Sequence, residues 1–163
     1  MNRPILLVED DPNDVIFMTR AMQKAGIQNP LHIASDGREA LAFLRGTGKY
    51  FDRDAYPMPW LVLLDLRLPQ MTGFDVLRWI RERPQFHTLV IIVFTSSVVD
   101  ADVEQAYSLG ANAYIPKPSN PSELVATIKA LNEFWSRAVI PWPQRPAIHS
   151  MQPSFGFEVI GGD

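Results

Sequence analysis

The stretch Trp60-Leu61-Val62-Leu63-Leu64-Asp65-Leu66-Arg67-Leu68-Pro69-Gln70-Met71-Thr72-Gly73 decides how this chain folds. Its first five residues are all large and apolar, the pattern of a strand buried on both faces. The run stops on a carboxylate, Asp65, and a loop containing Pro69 follows. In open parallel sheets, ligands gather beyond the carboxyl ends of such strands. Taken singly, Asp65 reads as a turn former ahead of a proline-containing loop, the commoner role of that residue type. Its standing rises because three other apolar runs end in the same manner.

Outward from this strand, apolar runs alternate with helical patterns. Ile5 to Val8 predicts a strand, and a helix from about Asp14 to Ala25 sets Val15, Met18, Ala21 and Met22 on one face before Gly26 closes it. Leu31 to Ala34 predicts a second strand, and Asp36-Gly37 leads into a helix carrying Ala40, Leu41 and Leu44. Beyond Asp65, a helix over about Phe74 to Arg83 presents Val76, Leu77 and Ile80, and Pro84 limits it. A strand at Leu89 to Phe94 precedes a weaker helix around Ala101 to Leu109, closed by Gly110. Ala113 to Pro116 is a short fifth strand. The last helix starts near Asn120 and carries Leu124, Ile128, Leu131 and Trp135 at helical spacing.

Each parallel connection needs a crossover, so the alternation predicts an α/β fold, a doubly wound five-stranded parallel sheet with five helices on its two faces. Two stretches fall outside it. Gly46 to Pro59 is a long connection rich in Gly, Pro, Tyr and Asp, and the end of the chain is punctuated by Pro141, Pro143, Pro146 and Pro153. The expected organisation is one domain over residues 1–135 and a proline-rich extension over 136–163.

Composition narrows the function classes. The 163 residues include 18 acidic and 15 basic side chains, a formal charge of -3, so no global field draws the chain to nucleic acid or anionic lipid. Without cysteine there is no disulfide framework, thiol catalysis or thiolate metal site. Neither a secretory signal nor the roughly 20 continuous apolar residues of a membrane span is visible, and the expectation is a cytoplasmic protein. The histidines, His32, His87 and His149, lack metal-ligand spacing and read as structural or surface residues.

The strand ends carry the chemistry. The first strand ends in Glu9-Asp10, the third in Asp65, the fourth in Thr95-Ser96 and the fifth in Lys117-Pro118. In a doubly wound sheet these ends converge on one crevice. Crowded carboxylates resist ionisation unless a cation joins them, and Mg2+ favours a few carboxylate oxygens together with a phosphate oxygen. Lys117 adds a fixed positive charge and Thr95 a hydroxyl, which together read as a phosphoryl-transfer site with a carboxylate nucleophile. Each feature alone has a plainer meaning: a solvated helix start for Glu9-Asp10-Asp11, a loop for Lys117-Pro118, a cap for Thr95, a half-buried aromatic for Tyr114. Their coincidence at successive strand ends is what those meanings do not explain.

In order and spacing, over roughly residues 4 to 135, the chain resembles the receiver domain of two-component response regulators. Glu9-Asp10, Asp65, Thr95 and Lys117-Pro118 stand at that family's acidic pair, phosphorylated aspartate, switch hydroxyl and lysine followed by a cis proline, and Tyr114 stands at its aromatic switch position. Pro69 and Gly73 also fit the loop after the phosphorylated residue. The resemblance implies a flavodoxin-like receiver fold with strand order 2-1-3-4-5. It further implies Mg2+ held by Asp10, Asp65 and the Arg67 backbone carbonyl, with Glu9, in place of the more frequent Asp, acting through water. Asp11 falls one position beyond the pair and reads as a helix-start residue. By the same resemblance, a histidine kinase phosphorylates Asp65, Thr95 moves to the phosphoryl group, and Tyr114 turns inward to bias a surface of the fourth helix, fifth strand and fifth helix.

Two rival classes fit less well. A phosphohydrolase of the haloacid dehalogenase type wants a second acid two residues after the nucleophile, where this chain has Arg67. A receiver-like binding module that is never phosphorylated typically lacks an acid or the lysine, and neither is missing. The long connection before Trp60 and the sequence Asn132-Glu133-Phe134-Trp135 look similar to the small regulators that partner phytochrome-like histidine kinases; a phosphorelay intermediate is the alternative. Phe134, Trp135, Ile140 and Trp142 exceed what one sheet must cover, so a homodimer through the last helix is expected.

Overall fold

The computed structural model describes residues 3–139. Five strands, β1 (Ile5–Val8), β2 (Leu31–Ala34), β3 (Leu61–Leu64), β4 (Val90–Thr95) and β5 (Ala113–Pro116), form one parallel sheet in the order β2-β1-β3-β4-β5. Five helices connect and flank them: α1 (Pro12–Lys24), α2 (Gly37–Arg45), α3 (Gly73–Arg81), α4 (Asp100–Ser108) and α5 (Pro121–Arg137). This is the flavodoxin-like receiver fold expected from the sequence. Among the described residues, no helix is long and apolar enough to cross a membrane.

The period of two along each strand divides the core into two layers. Leu6, Val8, Val62, Leu64 and Ile91 face α2 and α3, where Ala40, Leu41, Leu44, Val76, Leu77 and Ile80 close against them. Ile5, Leu7, Leu61, Leu63, Ile92 and Phe94 face α1 and α5, against Met18, Ala21, Met22 and Ile128. The central strands β1, β3 and β4 are buried at every position, which is why they read as continuous apolar runs. Trp60 is also buried but precedes β3 instead of opening it.

The Gly46 to Pro59 connection is not a plain surface loop. A short 3-10 turn, Gly48–Tyr50, folds back along α2, and the rings of Phe43, Tyr50 and Tyr56 lie 5.0 to 6.2 Å apart. His32 packs against Phe43 and Tyr56, the structural role expected of it. The Arg53 guanidinium donates to the carbonyls of Phe43 (2.8 Å), Leu44 (2.7 Å) and Tyr56 (3.2 Å). Two of these belong to the last turn of α2, whose carbonyls have no partner within the helix.

One expectation is overturned. Among the described residues no peptide bond is cis, so Lys117-Pro118 is trans. Trans is the favoured isomer of an X–Pro bond by about 0.5–1 kcal/mol, and with it the Lys117 amide still donates to the Thr95 carbonyl at 2.8 Å. The last helix continues past residue 135 to Arg137, and Ile140, Trp142, His149 and most of the 136–163 extension lie outside the described residues.

Candidate phosphoacceptor site

The sheet register brings the strand ends together. Val8 pairs with Leu64, so Glu9 and Asp65 leave adjacent strands at the same height. Leu64 pairs with Val93 and Thr95 with Pro116, which sets Thr95 beside the loop after Asp65 and carries Lys117 in from the sheet edge. Glu9, Asp10 and Asp65 each offer an oxygen within 4.8 Å of the others; Glu9 and Asp65 are buried and Asp10 is exposed.

Lys117 binds across this group. Its Nζ donates to Glu9 Oε2 (2.6 Å), Asp14 Oδ2 (2.7 Å) and Asp65 Oδ2 (2.9 Å), using all three of its protons. Burial works against the charged lysine, but the bonds from Asp14, Glu9 and Asp65 outweigh it and hold its pKa above the ordinary value. Burial has the opposite outcome for Glu9, whose pKa is raised despite the hydrogen bond and charge of Lys117. Three carboxylates thus share one ammonium, and Asp10 brings a fourth to the edge of the group. An excess of negative charge in a half-closed site, with oxygen donors only, fits a hard divalent cation such as Mg2+.

The loop after Asp65 is held by close backbone contact. Arg67 N–H donates to Asp65 Oδ1 at 3.2 Å, and Gly73 N–H to the Leu66 carbonyl at 3.0 Å. A Cβ on Gly73 would lie 2.2 Å from the Asp65 carbonyl oxygen, so only glycine lets α3 begin against the end of β3. Thr72 and Asp75 close a capping box there.

Thr95 is fully buried, and its hydroxyl accepts from the Ser97 amide at 3.4 Å. Tyr114, half-buried against Leu66, Val93 and Ala106, donates its hydroxyl to the Ser97 carbonyl at 3.0 Å. Ser97 in turn donates to Asp102 at 2.5 Å, and Asp102 lies 3.9 Å from the exposed Arg67. The side chains singled out at the strand ends therefore meet in one crevice. Phe134 and Trp135 are remote from it, at the far end of α5; Phe134 is exposed, while Trp135 packs on the α1/α5 layer. Asp11 caps α1, its side chain accepting from Asn13 N–H at 2.8 Å, as its helix-start reading expects. Asp14 was not singled out from sequence, because an acid in a helix's first turn is unremarkable there.

Residues 5–129 match the profile of the response regulator receiver domain. The chain is 33% identical over 145 residues to a probable methanogenesis regulatory protein, FilR2, of Methanothrix harundinacea, covering 87% of this chain and 86% of that one. It is 35% identical over 135 residues to response regulator Rcp1 of Synechocystis sp., covering 83% of this chain and 90% of that one, and it superposes on the Mn2+-bound form of Rcp1 with a TM-score of 0.76 at 34% identity, covering 85% of this chain and 99% of that one. The phosphorylated cyanobacterial phytochrome response regulator RcpA superposes with a TM-score of 0.80 at 33% identity, covering 86% of this chain and 99% of that one. With its sheet order, its acidic cluster and its sequence all in agreement, the chain belongs to the response regulator receiver domain family.

Proposed function

We propose that Asp65 accepts a phosphoryl group from the phosphohistidine of a sensor histidine kinase, and that the added charge switches a protein-interaction surface of this chain. The carrying observation is the Asp65 carboxylate itself: buried at a strand end, bonded through Oδ2 to Lys117 and through Oδ1 to the Arg67 amide. A carboxylate oxygen attacks phosphorus as the phosphorus–nitrogen bond breaks, giving an acyl phosphate and freeing the histidine. Lys117 offsets charge on the phosphoryl oxygens. Glu9, Asp10, Asp65 and the Arg67 carbonyl would hold Mg2+, which supplies further charge neutralisation when bound. Thr95 and Tyr114 meet at Ser97, and this shared contact supports their reading as the switch pair that reports on Asp65.

The kinase is of phytochrome type in this reading, supported by the likeness to the phytochrome response regulator RcpA. The protein works in the cytoplasm, as a signalling protein that assists its own phosphorylation and not as an enzyme with a separate substrate. Residues 1–135 form the receiver and 136–163 an extension. Phe134, 65% exposed, supports a homodimer through α5 with Trp135 and Trp142.

Intact mass after treatment with acetyl phosphate and Mg2+ tests the reading. One phosphoryl group should be added, labile to hydroxylamine and absent in Asp65→Asn; an unmodified wild-type protein would overturn it. Weighed under native conditions, the same sample should show a dimer, and a monomer at micromolar concentration refutes that part.

A further inference from the structure

All five helices carry an acid three residues after the N-cap: Asp14, Glu39, Asp75, Asp102 and Glu123. At that position a carboxylate ordinarily folds back on the start of its own helix. Four do. Glu39 accepts from Ser35 N–H (2.7 Å), Asp75 from Thr72 N–H (3.1 Å), Asp102 from the Ser97 hydroxyl (2.5 Å) and Glu123 from the Asn120 amide (3.1 Å). Asp14 instead crosses to Lys117 Nζ, 103 residues away in sequence, at 2.7 Å.

The bond has a particular place in the site's accounting. A lysine ammonium has three donors, and all three are taken here. Two of the acceptors, Glu9 and Asp65, belong to the acidic cluster and have other work: Asp65 must attack phosphorus, and Glu9 lies among the cation-binding oxygens. Asp14 lies outside that cluster. It is also the most open of the three, with 36% of its side chain exposed against 3% and 6%, at the mouth of a groove of about 410 Å³ between α1 and α5. The groove is also lined by Lys117, Arg20 and Lys24, so it offers the lysine's long stem a way out toward solvent.

We propose that Asp14 is a positioning residue that keeps Lys117 Nζ over Asp65 during phosphoryl transfer, acting through the lysine and not on the phosphoryl group. The inference rests on the reading of Asp65 as phosphoacceptor. While Asp65 and Glu9 exchange partners, the Asp14 bond persists, and Lys117 turns the N–H it had donated to Asp65 toward a phosphoryl oxygen without leaving the crevice.

The test compares wild type, Asp14→Ala and Asp14→Asn, with folding checked by thermal melting. Phosphorylation by acetyl phosphate, followed by intact mass, should slow about tenfold in Asp14→Ala and about twofold in Asp14→Asn, which keeps an acceptor oxygen. The Mg2+ concentration for half-maximal rate should stay at the wild-type value. In metal-free protein, proton exchange of the Lys117 ammonium, read by NMR, should quicken in the same order, a readout that a purely structural role for Asp14 would not move. Asp14→Asn carries the test alone if the alanine variant does not fold. An Asp14→Ala protein with wild-type rate and exchange overturns the inference, as does a shifted Mg2+ requirement, which would make Asp14 a metal ligand. Wild-type protein that takes up no phosphoryl group sinks the phosphoacceptor reading and this role with it; a phosphorylated wild type beside a normal Asp14→Ala sinks this role alone.

Discussion

Two charge clusters in this chain are near mirror images. At the strand ends, one cation, Lys117, is bound by three carboxylates. On the outer side of α2, one carboxylate, Glu39, is bound by donors from Ser35, Lys49 and Tyr50. The Glu39 cluster is complete: its oxygens are answered, and the result is a helix start clasped to the Gly46 to Pro59 connection. The Lys117 cluster is not, since Asp10 brings a fourth negative charge into reach of the group. An electrostatically closed cluster fastens structure, whereas an open one keeps an appetite for a cation and for the charge redistribution that phosphorylation brings.

The sharpest break of this comparison is Lys117→Met. It should slow phosphorylation of Asp65 by roughly a hundredfold or more, the usual consequence of removing a charge that meets a developing anion. In cation-free buffer it should also destabilise the fold by about 3 kcal/mol, because the buried Glu9 and Asp65 lose the ammonium that bridges them. Millimolar Mg2+ should restore part of that loss in urea denaturation, because the carboxylates that remain are cation ligands. Wild-type stability without Mg2+ would show that the open cluster is no burden to the fold.

Arg53→Ala probes the other side. Its guanidinium serves three carbonyls, two of them at the end of α2, so removal should cost about 2 kcal/mol in urea denaturation. Phosphorylation of Asp65 should proceed at the wild-type rate, and a slowed rate would mean that the clasp around α2 communicates with the strand ends.

The two regions also differ in how far the sequence discloses them. Glu9, Asp10, Asp65, Thr95 and Lys117 were legible because buried parallel strands are apolar throughout, so a polar residue where the run stops marks the crevice side of the sheet. Asp14 was not, because nothing local distinguishes it from Asp75 or Glu123, and only the pairing of β4 with β5 brings Lys117 to it. The sequence shows Gly46 to Pro59 only as a long connection rich in Gly, Pro, Tyr and Asp, since its bonds from Arg53, Lys49 and Tyr50 to α2 depend on how a turn-rich segment folds back in three dimensions. The Lys117-Pro118 bond was expected cis on resemblance alone, and no residue preference within this chain contradicts trans.

The mildest probe is pH acting on Glu39. Burial alone would raise its pKa, but the hydrogen bonds from Lys49, Ser35 and Tyr50 outweigh it and bring the carboxyl from 4.5 down to about 2. A folded pKa below the unfolded one means that the ionised form is favoured by folding. The contribution is therefore fully present above about pH 4.5 and lost as pH falls toward 2. Glu39→Gln should remove that dependence: at neutral pH its thermal midpoint should lie about 2 °C below wild type, with the gap closing as the medium is acidified. Lys49, the ammonium partner, is 65% exposed, so part of the gap should also close in high salt. A gap that holds constant from neutral pH down to pH 2 would show that the carboxylate's charge contributes nothing, leaving Tyr50 and the ring cluster to hold the connection against α2 by packing.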